Sequence, residues 1–138
     1  MLFVLIDTNV LISGLLFAGN EQRLLEAGIR GKIRFLIPES VRDETLTVLK
    51  RKTASPHTFE LFSRVLGASE LIPLHAYERK ISDAENRIRD ATDSPILAAV
   101  LAVPHDFFVS GDRDFTALNL TTHITVKKLL ERLKPTDD

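Results

Sequence analysis

The chain has no cysteine in its 138 residues, which rules out a disulfide framework and a thiolate metal site, so a bound metal must take oxygen ligands or one of four histidines. Hard cations are favoured by such a donor set. His57, His75, His105 and His123 are scattered, with no spacing that pairs two of them on one metal, and read as surface or core residues. Long apolar runs are missing too: nothing approaches the ~20 residues that cross a bilayer, and residues 1–6, though apolar, are shorter than a signal core and lack a basic lead-in. A cytoplasmic protein without membrane contact is expected. Net charge is only −1, so no bulk field draws in a polyanion and any nucleic-acid contact must be local. Basic residues do cluster at Arg30, Lys32 and Arg34, at Lys50, Arg51 and Lys52, at Arg87 and Arg89, and at Lys127 and Lys128, but each group reads first as a solvated face. No glycine-rich phosphate loop, nucleophile elbow or Walker motif is present.

What is present suffices for a folded domain. Apolar residues make up 44% of the chain and charged residues 27%, far from the composition of disorder. The length suits one core, and with no repeat, linker or low-complexity segment, residues 1–138 are expected to form a single domain.

The pattern alternates strands with helices. The apolar run of residues 2–6 stops abruptly at Asp7-Thr8-Asn9, as a strand buried on both faces does when it leaves a parallel sheet. Helices are predicted over 10–16 and 21–30, a strand over 33–37 ended by Pro38, and a helix over 39–52 whose basic end suits the negative pole of its dipole. Ser55-Pro56 opens a helix to about Leu66, and a strand broken by Pro73 is predicted at 71–74. Residues 75–90 show only weak, polar periodicity. Ser94-Pro95 starts an apolar helix over 96–102, residues 107–109 form a short buried strand, and a closing helix at 126–133 precedes a polar tail. The result is an α/β domain with a mainly parallel central sheet and helices on both sides.

Acids sit where such a sheet gathers them. Ligands bind outside the carboxyl ends of parallel strands; Asp7 follows the first apolar run directly, and Asp112 follows the second after Ser110-Gly111. Glu44 lies in the first turns of the helix after the second strand; Asp90 and Asp93 stand just before the helix that leads into the 107–109 strand. Two carboxylates about 4 Å apart repel by about 4 kcal/mol at an effective dielectric near 20, so a pocket of four needs protons or a divalent cation. Oxygen donors of this kind suit Mg²⁺ or Mn²⁺. Each acid also has a plain explanation. Asp7 and Asp93 stand at helix starts, as N-caps do. Glu44 fits a solvated helix face, and Asp112 and Asp114 flank Arg113 in a turn, where both Asp and Ser110 are favoured for backbone reasons.

Four segments, Asp7-Thr8-Asn9-Val10-Leu11-Ile12-Ser13, the helix acid Glu44, Arg89-Asp90-Ala91-Thr92-Asp93-Ser94-Pro95, and Val109-Ser110-Gly111-Asp112-Arg113-Asp114-Phe115, together resemble the PIN-domain ribonuclease family, in particular its toxin-like branch related to VapC toxins. The resemblance spans essentially the whole chain. It implies a PIN-like three-layer α/β/α fold, endonucleolytic cleavage of RNA with Mg²⁺ or Mn²⁺, a homodimer, and a small antitoxin protein that covers the site. Residue by residue, Asp7, Glu44, Asp93 and Asp112 match the family's four acids and Asp114 an accessory one; Asp90 also fits this branch, which leaves open whether Asp90 or Asp93 lies nearer the metal. Thr8 or Asn9, together with Ser110, match polar neighbours that orient the acids or the water. Val103-Pro104-His105 stands where relatives carry small residues, and Val126 where a proline often begins the last helix.

The expected chemistry is in-line hydrolysis of an RNA phosphodiester by metal-activated water, with Asp7, Asp93 and Asp112 as main ligands, Glu44 at a second metal or at water, and Arg113 on phosphate. A phosphatase-like or receiver-like domain wants a second acid two positions after the first, where this chain has Asn9. A non-catalytic PIN-like module that binds RNA or protein is the other reading. Binding of Mn²⁺ separates it from the enzyme.

Overall fold

The computed structural model describes residues 1–134; the expected polar tail beyond them lies outside the described residues. Five strands form one sheet: β1 (Leu2–Ile6), β2 (Ile33–Pro38), β3 (Glu70–Ile72), β4 (Phe107–Val109) and β5 (His123–Ile124). Their order is β3-β2-β1-β4-β5 and each neighbouring pair is parallel. Val4, Leu5 and Ile6 are consecutive and fully buried, as a strand covered on both faces requires. The helices are α1 (Thr8–Leu16), α2 (Asn20–Ile29), α3 (Glu39–Arg51), α4 (Pro56–Gly67), α5 (Ile81–Glu85), α6 (Ser94–Ala102), α7 (Arg113–Thr116) and α8 (Val126–Leu133). Among them α2 packs with α1, α4 and α8, while α6 packs with α3 and α5, giving the expected α/β/α layering.

The strand order positions the acidic residues. From β1 the chain builds outward through β2 to β3, then returns to place β4 on the other side of β1. The β1/β4 boundary is therefore a topological switch point, where connections diverge and leave a crevice at the strands' carboxyl ends. The Asp7 N–H donates to the Val109 carbonyl at 3.2 Å, tying the two strand ends together at that crevice.

Elsewhere the structure refines the sequence-based expectation. Strand β3 covers Glu70–Ile72, because Pro73 has no N–H for the ladder, and Leu74 instead opens a 3-10 turn, Leu74–Ala76. The weakly periodic 75–90 stretch resolves into turns and the five-residue α5, too short for a helical pattern to register. For the same reason α7, β5 and the 3-10 turn Ala91–Asp93, of four, two and three residues, leave no periodic signal in the sequence. At the two departures from the family pattern the local backbone is well satisfied. The His105 ring bridges the Val103 carbonyl and the Thr122 hydroxyl at 2.7 and 2.8 Å. Ahead of Val126, the Thr125 hydroxyl caps α8 by accepting from the Lys128 N–H.

Candidate functional site

Asp7 leaves β1 at the switch point and is 4% exposed. It occupies the N-cap position of α1, yet its side chain makes no capping bond. Its carboxylate Oδ2 instead accepts from the Ser110 hydroxyl at 2.7 Å, and Ser110, just past β4, is itself fully buried. The plain capping explanation therefore fails for Asp7, and Ser110 does more than hold its own turn. Burial pushes the Asp7 carboxyl above its ordinary range; the Ser110 bond opposes this, and the nearby Asp112 and Glu44 charges add to it.

Asp93 repeats the pattern. It precedes α6 without a side-chain cap, the turn being held by the Ser94 hydroxyl donating to the Ala91 carbonyl at 2.7 Å. Half-buried and facing Asp112, Asp7, Asp90 and Asp114, its carboxyl is pushed up to about 7, by desolvation first and by those negative neighbours second. Asp112 does cap: one carboxylate oxygen accepts from the Asp114 N–H at 2.9 Å, and its own N–H donates to the Ser110 hydroxyl at 3.1 Å. Ser110 thus holds two acids at once.

One carboxylate oxygen from each of Asp93, Asp112 and Asp114 comes within 4.8 Å of the others. Asp7, Glu44 and Asp93 line a narrow adjoining cleft of about 40 Å³, with Thr8, the first residue of α1, donating its hydroxyl to Glu44 on α3 at 3.2 Å. Among the described residues no cation answers these charges, since the salt bridges pair Arg42 with Glu39 and Asp43, and Lys80 with Asp83. At such spacing each carboxylate pair costs about 3 kcal/mol at an effective dielectric near 20. The donor set is all oxygen, partly desolvated and short of positive charge, a chemistry that suits a hard divalent cation.

Asp90 stands apart. It is exposed, and its Oδ1 accepts from both the N–H and the hydroxyl of Thr92 at 3.0 and 2.8 Å, bonds that hold its carboxyl below the usual range. Between the two acids the sequence left open, Asp93 is the one that enters the cluster. Arg113 is exposed on α7.

Two supports escaped the reading of the sequence. The His123 ring, on β5, lies 2.8 Å from the Ser110 carbonyl, so Nε2 donates and steadies the segment that orients Asp7 and Asp112. Tyr77, fully buried, accepts from the Ser40 N–H at 3.1 Å and donates to its hydroxyl at 3.2 Å, while Leu74 N–H donates to Glu39. These bonds fix the start of α3, one turn before Glu44. A lone His and a lone Tyr carry no spacing signal, so only the fold reveals them.

Fold and site define an acid-edged, wholly parallel α/β domain. The family model described as PIN domain matches residues 3–114, which take in all of these acids, and the chain belongs to the PIN-domain family. Solved structures with the same fold include a chain of a toxin–antitoxin complex from Klebsiella pneumoniae, 18% identical, with a TM-score of 0.66 over 89% of this chain and 97% of that one. Mycobacterium tuberculosis VapC20, a sarcin–ricin-loop-cleaving toxin, is 16% identical, with a TM-score of 0.61 over 85% and 95%. A chain of VapBC2 from Rickettsia felis, bound to a promoter DNA fragment, is 15% identical, with a TM-score of 0.62 over 89% and 98%. Among curated proteins there is no match.

Proposed function

We propose that this protein is a divalent-metal-dependent endoribonuclease, the toxin of a toxin–antitoxin pair, acting as one domain and as a homodimer. The observation that carries the reading is the convergence of the Asp93, Asp112 and Asp114 carboxylates within 4.8 Å of one another, beside the buried Asp7. Asp7, Asp93 and Asp112 are the proposed principal ligands for Mg²⁺ or Mn²⁺, Asp114 an accessory one, and Glu44 holds a second ion or positions water. When bound, a divalent ion supplies the positive charge that activates water and stabilises charge on a phosphodiester. The chain's own work is to hold the acids ready: Ser110 aims Asp7 and fixes the Asp112 backbone, and Thr8 aims Glu44. Asp90 is left outside the ligand set, bonded to its own turn. Arg113, exposed beside Asp112 and Asp114, suits a phosphate contact.

The antitoxin partner is supported by the structural neighbours, two of which come from toxin–antitoxin assemblies. Purified protein incubated with mixed RNA in Mg²⁺ or Mn²⁺ is expected to yield fragments, and EDTA to stop them. Absence of both cleavage and Mn²⁺ binding leaves the non-catalytic module standing instead.

A further inference from the structure

Beyond the acidic cleft, the seam between α2 and α8 carries a cavity at each end. Both helices begin at the site's rim, where Asn20 and Val126 line a cavity of about 450 Å³ that also includes Asn9, Asp112 and Lys127. Both end at a second cavity of about 280 Å³, lined by Arg23, Ala27, Arg30, Lys32, Leu130 and Leu133. The two helices are packed together, and both run from the first cavity to the second, so the cavities lie at the two ends of one helix–helix seam. The first end touches the acidic cluster through Asp112 and opens into the narrow cleft through Asn9, which lines both.

Residue spacing shows how the groove is made. On α2, Asn20, Arg23, Ala27 and Arg30 recur at intervals of three and four, which places them on one stripe. On α8, Val126, Leu130 and Leu133 do the same. The floor is therefore apolar and the α2 rim basic. Arg23, Arg30 and Lys32 are all exposed, and none enters a salt bridge among the described residues; Glu26 is the one acid that shares their cavity. In a chain of net charge −1 this is a local excess of positive charge, set at the far end of a seam that starts, past Glu21 and Lys127, at a site proposed to cut a polyanion. From Asn20 to Arg30 the stripe rises about 15 Å, enough for a few nucleotides.

We propose that the α2–α8 seam is the path by which the RNA strand flanking the cleavage point leaves the acidic cleft, its phosphates tracked by Arg23, Arg30 and Lys32 and its bases lying over Ala27, Leu130 and Leu133. The proposal rests on the nuclease reading and adds to it the direction in which substrate extends. It assigns a role to part of the Arg30, Lys32, Arg34 cluster that the sequence alone offers as a solvated face.

The test is RNA binding by the full chain carrying Asp7→Asn, measured by fluorescence anisotropy with a labelled single-stranded RNA across a salt series. Adding Arg23→Ala, Arg30→Ala and Lys32→Ala is expected to weaken binding at least tenfold and to flatten the slope of log affinity against log salt by about 2, since each phosphate contact on a single strand contributes about 0.7. Adding Lys50→Ala, Arg51→Ala and Lys52→Ala, which removes the same charge outside both cavities, is expected to change neither by as much as half. A parent protein that binds RNA equally well with and without the seam arginines and lysine overturns the path while sparing the nuclease, and leaves the groove to a protein segment. Equal loss from both triple variants overturns it too, because bulk charge then explains the binding. A parent that binds no RNA overturns path and nuclease reading together.

Discussion

Ser110 donates its hydroxyl to Asp7 at 2.7 Å, joining residues 103 positions apart in sequence and fixing the geometry of the strand ends around which the site is built. A hydrogen bond to a charged acceptor is worth roughly 1.5–3 kcal/mol. Ser110→Ala is therefore expected to cut cleavage by about 10- to 100-fold and to weaken Mn²⁺ binding, with the fold kept. Steady-state cleavage together with calorimetric Mn²⁺ titration checks this; wild-type values for both would show that Ser110 is a turn residue and nothing more.

The acids should make the metal-free protein unusual in its response to pH. Asp93, raised to about 7, keeps a proton in the folded state that the unfolded chain has already released near pH 4, so stability falls as pH rises between these values and levels off above them. Asp7, also raised, acts in the same direction. Thermal melts in EDTA are expected to show Tm declining from pH 5 to pH 8, and Asp93→Asn to remove much of that decline. A Tm that climbs over this range contradicts the crowding of carboxylates.

Metal should reverse the effect. At pH 8, Mn²⁺ at 100 times its Kd adds about 2.7 kcal/mol to stability by mass action, or roughly 5–10 °C for a domain of this size. Asp7→Asn is expected to abolish cleavage and this gain, while its Tm without metal equals or exceeds that of the wild type, because one repelling charge is gone. Full activity of Asp7→Asn with added Mg²⁺ or Mn²⁺ refutes the assignment.

Tyr77 tests whether the 74–77 turn supports the site from a distance. Tyr77→Phe keeps the buried ring but strips the Ser40 N–H at the start of α3 of its acceptor, at a cost of about 1–2 kcal/mol. The expected outcome is a Tm lower by a few degrees with Mn²⁺ affinity reduced less than in Ser110→Ala. Equal damage from the two variants would mean that α3 carries more of the site than Glu44 alone.

Packing offers a further check on the fold. A Cβ at Gly28, in α2, would strike the Phe35 ring of β2, which is itself 1% exposed and has nowhere to retreat. Gly28→Ala is expected to destabilise by about 1–3 kcal/mol despite its better helix propensity. A neutral or stabilising result in chemical denaturation would show that α2 sits farther from the sheet.

Much of this molecule was written along the chain. Apolar runs that stop at Asp7 and shortly before Asp112 define strands covered on both faces, and strands separated by helical stretches dictate a parallel sheet; such information is local, carried by periodicity and by Pro and Gly stops. The candidate acids were legible for a related reason, since in a parallel sheet the residues just past the strands share one rim. Tertiary structure alone decided which acids meet. Asp90 and Asp93 are three residues apart and chemically alike, yet one bonds to Thr92 in solvent and the other enters the cluster, because Asp90 keeps an extended backbone and folds its side chain back to cap the 3-10 turn that Asp93 completes. Only the fold, likewise, could turn Ser110, His123 and Tyr77 from unremarkable polar residues into supports, since a hydrogen bond between elements depends on where the sheet sets its strands and not on what lies next in the chain.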